Sequence, residues 1–200
     1  MTHPGLVIPV YYDFASTICY VAHRVMARMD ADLEDLGIHL EWKPLDLARL
    51  TGWQRGATVD GPRRTNALRV AQDLGVPVHM PPVWLDSCCA HAVALTLAGT
   101  PKEPAWRERV WTAVFEERRD LDDDTVRQLG RDLELELSLP TPAEALLRLD
   151  QLTHEAHEAG VTGAPTFMLD AWPCGGIQEE RTMHALLERF VRKQTRASGG

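Results

Sequence analysis

The strongest constraint on the fold of this chain is a set of changes in hydrophobic period within its first 44 residues. Residues 6–14, LVIPVYYDF, are rich in β-branched and aromatic side chains and predict a buried strand. Apolar side chains then recur at helical spacing as far as Gly37, which predicts one helix, and residues 38–44 alternate between apolar and polar positions as a second strand does. Because Pro9 cannot donate a hydrogen bond to a sheet ladder, the well-paired part of the first strand is expected to start at Val10.

The middle of the chain carries helix signals in place of strand patterns. Residues 45–159 contain several helix start and stop signals, of which the clearest is Thr141-Pro142-Ala143-Glu144. This segment has the spacing of a capping box, with proline at the first helical position. Residues 45–159 are therefore predicted to form a block of helices.

Strand character returns after the helical block. PTFMLD, residues 165–170, predicts a third strand, residues 172–176 predict an edge strand, and residues 179–192 predict a final helix with one apolar stripe. The sequence thus predicts one α/β sheet domain, made of residues 1–44 and 160–200, into which the helical block is inserted.

Charge and hydropathy limit the partners of the protein. The net charge is -8, whereas nucleic-acid binding depends on Lys and Arg side chains that neutralise phosphates, so no nucleic-acid partner is predicted. No apolar run reaches the ~20 residues that a membrane span needs, and the N-terminus has no basic segment followed by an apolar stretch. We therefore predict a cytoplasmic protein without a membrane partner.

Neither the cysteines nor the candidate metal ligands indicate a metal site or a disulfide framework. The four cysteines are few and scattered, so in a reducing cytosol they are expected to be thiols: Cys19, Cys88, Cys89 and Cys174. His154 and His157 lie on one helical face but lack a third ligand for zinc, and the acidic residues 120–124 lack the Gly and distal Glu of a calcium loop.

Several separated motifs together resemble the DsbA-like branch of the thioredoxin fold. They are DFASTICY at residues 13–20, LDSCCAH at 85–91, AVFEERRDLDD at 113–123, GVTGAPTF at 160–167 and GGIQ at 175–178. The likeness spans residues 6–191 and is closest to cytoplasmic FrnE-type proteins, with 2-hydroxychromene-2-carboxylate isomerase and kappa-class glutathione transferase as further relatives. The resemblance implies a thioredoxin-like α/β fold with a helical insertion.

The same resemblance implies where the active cleft lies. Ser16 and Cys19 occupy the positions of the two cysteines of the family and are the expected catalytic residues, with Thr17 beside them as a substrate-binding residue. The Ala164–Pro165 peptide bond is expected to be cis, and its bared backbone is expected to pair with a bound peptide or glutathione. The cleft would then lie between the first helix N-terminus and the Ala164–Pro165 segment.

His91 is a further expected substrate-binding residue, because the resemblance places its helix over the active turn. An imidazole that faces the cleft could serve as a general base or as the partner of an anion. The alternative is that His91 packs the helix against the rest of the protein, and the sequence leaves both roles open.

Ser16 decides which chemistry is available at the turn. A helix N-terminus lowers the pKa of a cysteine placed there and makes it a reactive thiolate, but Ser16 carries no sulfur. A serine hydroxyl can instead donate a hydrogen bond to the thiolate of a ligand such as glutathione. FrnE and DsbA types use a cysteine at this position for dithiol exchange, whereas the isomerase and the kappa-class transferase have serine and use glutathione.

Three functions therefore stay open. The first is an enzyme of oxidoreductase lineage whose altered Ser-x-x-Cys site binds a small thiol or a peptide. The second is a glutathione-dependent isomerase or transferase, although Gly176 and Ile177 stand where the kappa class has a Ser-Asp pair. The third is a non-catalytic peptide-binding module. No tightly bound cofactor is expected, glutathione is the candidate co-substrate, and a homodimer is expected by analogy with the family.

Overall fold

The computed structural model, which describes residues 5–137 and 141–198, contains a mixed β-sheet and a block of helices. The elements in these two ranges are β1 (Leu6–Tyr12), α1 (Thr17–Arg28), α2 (Asp30–Asp35), β2 (Ile38–Pro44), α3 (Leu47–Thr51), α4 (Gly61–Asp73), α5 (Cys88–Leu97), α6 (Lys102–Phe115), α7 (Asp123–Asp132), α8 (Pro142–Glu158), β3 (Thr166–Leu169), β4 (Trp172–Gly175) and α9 (Glu180–Ser198). The strand order is β2-β1-β3-β4, with β1 parallel to β2 and the other neighbours antiparallel. This order confirms the predicted thioredoxin-like α/β fold.

Three local predictions are wrong. β1 pairs with β2 from Leu6 onward, and Pro9 is tolerated because the ladder between β1 and β3 begins only at Val10. The helix predicted to run to Gly37 is broken at Met29, whose φ of -100° and ψ of 10° separate α1 from α2. The last helix extends beyond residue 192 to the end of the described chain, because basic side chains stabilise a helix C-terminus.

The helical block packs on the sheet through one continuous apolar core. Helices α3 to α8 lie between β2 and β3 in the sequence, where the insertion was expected. Tyr12 and Phe14 from the sheet side pack on Trp111 of α6, with ring centroids 5.3 and 5.4 Å apart. Trp106 is fully buried and donates its indole N–H to the carbonyl oxygen of Ala90 at 3.0 Å. The predicted division into two domains stays a prediction.

The start of α8 confirms the capping box. The Glu144 backbone N–H donates to Thr141 Oγ1 at 3.3 Å, and the Thr141 backbone N–H donates to Glu144 Oε2 at 2.9 Å. Further along α8, Thr153 Oγ1 accepts the backbone N–H of Asp46 at 2.8 Å, which ties the helix to the segment after β2. Among the helices of the described ranges, none is both long and apolar enough to cross a membrane.

Candidate functional site

The site is the turn that connects β1 to α1. Ser16 has an extended backbone, with φ of -87° and ψ of 114°, and its Oγ accepts the Cys19 backbone N–H at 3.3 Å, so it is the N-cap of α1. Within residues 5–137 and 141–198, the N–H groups of Thr17 and Ile18 have no hydrogen-bond acceptor. The first turn of α1 also carries no acidic side chain. This end of the helix can therefore hold an anion.

The buried carboxylate of Asp13 holds the turn in place through hydrogen bonds. Asp13 has no exposed surface; its Oδ1 accepts the Ala15 backbone N–H at 2.9 Å and the Ser87 hydroxyl at 2.7 Å, and its Oδ2 accepts the Leu47 backbone N–H at 2.8 Å. These bonds join the turn to the starts of α3 and α5. Burial alone would raise the pKa of Asp13, but the hydrogen bond and charge of His91, with the bonds from Ser87 and Ala15, bring this pKa below its ordinary value.

His91 of α5 completes the support. Its side chain is fully buried, and its Nε2 lies 3.3 Å from both the Phe14 backbone nitrogen and Asp13 Oδ1. One ring nitrogen can accept the Phe14 N–H or donate to Asp13, but it cannot do both at once. The ring also packs on Phe14 with centroids 4.7 Å apart. These contacts place His91 under the turn, and a direct contact with substrate stays a prediction.

The thiol of Cys19 is expected to be unreactive in this environment. It lies one turn into α1 with no exposed surface. Burial raises the pKa of its thiol to about 12, because the hydrogen bonds from Ser16 and from the backbone of Asp13 lower the pKa by less. At neutral pH Cys19 is therefore a thiol, whereas thiol–disulfide exchange requires a thiolate.

The remaining cysteines are also free thiols. Cys88 and Cys89 are both buried at the start of α5, and Cys89 Sγ donates to Asp123 Oδ1 at 3.1 Å. Burial and a nearby carboxylate raise the pKa of each of these two thiols. Cys174, on β4, is half-buried.

We expect one of the four thiols to react with 5,5′-dithiobis(2-nitrobenzoate) in the native protein at pH 8, and all four to react after unfolding. Cys174 is the reactive one because it is half-buried, whereas Cys19, Cys88 and Cys89 are buried with 0%, 3% and 9% of their surfaces exposed. The measurement is the absorbance of the released thiolate, with Cys174→Ser as the variant that removes the native reaction. Native labelling that persists in Cys174→Ser and disappears in Cys19→Ser would contradict the burial argument.

The Ala164–Pro165 segment lies at the same end of the sheet as the turn. Its peptide bond is cis, the geometry that the resemblance implies. Tyr11 of β1 pairs with Thr166 of β3, so the residues just before Thr166 run beside the end of β1 that leads into the turn. The carbonyl oxygen of Pro165 accepts the Gly176 backbone N–H at 2.8 Å, which fixes the segment to the end of β4. The fold therefore brings both halves of the predicted cleft to one edge.

The role of Asp13 in stabilising the turn was not predicted from the sequence. A signal for it exists, because an acidic residue directly follows a buried strand and precedes a helix cap, where an uncompensated carboxylate would be costly. Ser87, which lies within the motif at residues 85–91 but was not predicted to have a role of its own at this site, is the second missed member of this network.

The comparisons with known proteins agree with this architecture. A family model of the DSBA-like thioredoxin domain matches residues 7–188. At the level of sequence alone, no curated relative matches the chain. The narrower likeness to FrnE-type proteins stays a prediction.

Solved structures with the same fold include an isomerase, a probable oxidoreductase and a disulfide reductase. A 2-hydroxychromene-2-carboxylate isomerase superposes with a TM-score of 0.72 at 20% identity, covering 96% of this chain and 99% of that one. A Streptomyces coelicolor protein described as a probable DsbA oxidoreductase gives 0.70 at 16% identity, with 92% and 89% covered. The cytosolic disulfide reductase DsbM from Pseudomonas aeruginosa, solved with GSH, gives 0.62 at 21% identity, with 96% and 100% covered. At these identities the likeness shows the fold alone.

Proposed function

This chain belongs to the DSBA-like thioredoxin family, and we propose that it binds the thiolate of a small thiol, of which glutathione is the leading candidate, at the N-terminus of α1. The observation that carries the proposal is the combination of Ser16 at the N-cap with the unpaired N–H groups of Thr17 and Ile18 in the described structure. The Ser16 hydroxyl and these two N–H groups are three donors at the positive end of the helix, which would stabilise a thiolate placed there. The sulfur arrives with the ligand.

The state of Cys19 separates this function from dithiol exchange. A mixed disulfide with a substrate needs a reactive thiolate at the first position, where Ser16 has none, and Cys19 is buried with a raised pKa. The chain therefore keeps the anion site of the family without its pair of sulfur atoms. Thiol-dependent isomerisation or transfer is the chemistry that this arrangement supports best.

A bound thiolate can act as a nucleophile in either reaction. Its sulfur lone pair forms a bond to an electrophilic carbon of the substrate, and the displaced electron pair takes up a proton or is stabilised as an anion. In an isomerisation the C–S bond breaks again after rotation of the substrate, which regenerates the thiolate. In a transfer the C–S bond stays in the product. Of the structural neighbours, the isomerase supports the isomerisation by fold analogy, and the disulfide reductase solved with GSH supports glutathione as a ligand of this fold.

The compartment and the assembly belong to the same proposal. Four free thiols without a disulfide suit a reducing cytoplasm, where glutathione is abundant. A homodimer is proposed by analogy with the family alone.

The test is calorimetric titration with glutathione and with S-methylglutathione, in which the thiol is blocked. We expect glutathione to bind the wild type more tightly as pH rises from 6 to 8.5, because the thiolate is the bound form. Ser16→Ala should weaken binding by at least about tenfold, since a hydrogen bond to a charged group contributes ~1.5–3 kcal/mol. Cys19→Ala, in the same turn, is the matched control and should change the affinity by less than about twofold.

The contrary outcomes are distinct. An absence of heat at millimolar glutathione, or equal affinity for the blocked analogue, would remove the thiol-binding function. If extended peptides bind while glutathione does not, the chain is a peptide-binding module. If the wild type reduces insulin and Cys19→Ala does not, the protein is a thiol–disulfide oxidoreductase that uses Cys19.

A further inference from the structure

A concave surface lies at the far edge of the sheet, between β4 and α9. This surface, called here the β4–α9 groove, has a volume of about 650 Å³. None of the described residues that line it belongs to the α1 turn or to the Ala164–Pro165 segment. The groove is therefore independent of the proposed thiol site.

The floor and one wall of the groove are apolar. Leu169 and Phe190 form its floor with 3% and 8% of their surfaces exposed, and Leu186 extends the floor along α9. Trp172 forms the wall, and 57% of its surface is exposed. The exposed indole and the apolar side chains beside it form one contiguous apolar surface, which suits an apolar ligand.

The other wall is cationic. In the described ranges, Arg189, Lys193 and Arg196 have no carboxylate within ion-pair distance, and Arg192 pairs only with Glu188 of its own helix. Arginines on α1 and α6 are in contrast paired with carboxylates. The whole chain carries a net charge of -8, so this is a local reversal of sign. The spacing of four and three residues puts the three unpaired cations on one face of α9.

The shape and charge of the groove disfavour three other occupants. A second copy related by a twofold axis would bring the same cations face to face. An added β-strand would meet Pro173, which has no N–H to donate from the open edge of β4. A flat bilayer would contact protruding side chains, whereas Leu169 and Phe190 lie at the bottom of a concavity.

We propose that the β4–α9 groove binds a small amphiphilic organic anion, with an apolar body and one carboxylate or sulfonate. The body would lie on Phe190 and Leu169 against the indole of Trp172, and the anion would meet Lys193 and Arg196. The volume lies within the range of small-molecule sites, and the combination of an apolar lining with a few convergent charges is their usual composition. The complementarity of charge and shape selects this ligand class.

The test compares 2-naphthoate with 2-naphthamide, which has the same ring system without the charge. In calorimetry, naphthoate should bind at least about fivefold more tightly than naphthamide, since two partly exposed ion pairs contribute modestly each. The double substitution Lys193→Gln and Arg196→Gln should remove this preference. The matched control, Arg148→Gln with Arg181→Gln, removes the same charge from exposed positions outside the groove and should leave both affinities unchanged.

The position of the ligand is read independently by NMR. The indole N–H resonance of Trp172, assigned by its loss in Trp172→Phe, should shift on titration with naphthoate. Equal affinity for the two probes, equal effects of the two double variants, or an unshifted Trp172 resonance would overturn the proposal. Sedimentation with phosphatidylglycerol vesicles, without binding of free naphthoate, would assign the groove to a lipid surface instead and overturn it as well.

Discussion

Asp13→Asn should lower the free energy of unfolding by about 3–5 kcal/mol at neutral pH, as the loss of one partner from a buried charged network does. The carboxylate is fully buried and accepts hydrogen bonds from the Ala15 and Leu47 backbones and from Ser87. Asparagine places an NH₂ group against one of these donors, so a buried N–H or O–H loses its acceptor. Urea unfolding followed by far-ultraviolet circular dichroism measures the change.

The same experiment has a matched control and a milder variant. Asp60→Asn changes an exposed N-cap of α4 and should cost less than about 0.5 kcal/mol, because asparagine caps helices as well as aspartate does. Ser87→Ala removes one of the bonds to Asp13 and should cost about 1 kcal/mol. A decrease of less than about 1 kcal/mol in the free energy of unfolding of Asp13→Asn would show that the network does not stabilise the turn.

The pH dependence of stability follows from the same carboxylate. The pKa of Asp13 is lowered in the folded protein relative to its unfolded value of about 3.9, so its stabilisation is complete above that unfolded pKa. The stabilisation is lost as pH falls through the folded pKa. The difference in unfolding free energy between wild type and Asp13→Asn should therefore shrink below pH 4, and a difference that grows there would contradict the assignment.

Ser16→Cys should turn the protein into a dithiol enzyme. A thiol at the N-cap of α1 would accept the Cys19 N–H and face the unpaired N–H groups of Thr17 and Ile18 in the described structure. Such a position lowers a thiol pKa from ~8.5 to ~7 or below, which raises the thiolate fraction at pH 7 from about 3% to about half. Insulin reduction with dithiothreitol as the electron donor should exceed the wild-type rate by at least about tenfold.

The control for this gain is the double variant Ser16→Cys with Cys19→Ala. Without the second sulfur, a mixed disulfide with the substrate has no internal thiol to release it. The double variant should therefore accumulate mixed disulfides, visible by mass spectrometry, and show no turnover. A single variant as inactive as the wild type, with a folded circular dichroism spectrum, would indicate that the turn lacks the geometry for exchange.

Local patterns account for the features of this protein that depend on near neighbours in sequence. The β-α-β start, the cap at Ser16 and the capping box of Thr141 and Glu144 follow from side-chain periods of two and 3.6 and from hydrogen bonds that span three residues. The break at Met29 falls inside a continuous helical pattern and has no such signature. The net charge of -8 also predicts that the protein has no nucleic-acid partner, and this stays a prediction.

The state of the site depends on contacts between distant parts of the chain. Asp13 meets Leu47, Ser87 and His91 across 34, 74 and 78 positions, and no local pattern encodes those distances. The quiet thiol of Cys19 and the cationic β4–α9 groove are likewise products of packing. The role of Ser16 as the N-cap of α1 can be predicted from the sequence, because a helix cap depends only on residues that are close in the chain. The burial of Cys19 and the charge on Asp13 depend instead on every element that excludes water from them.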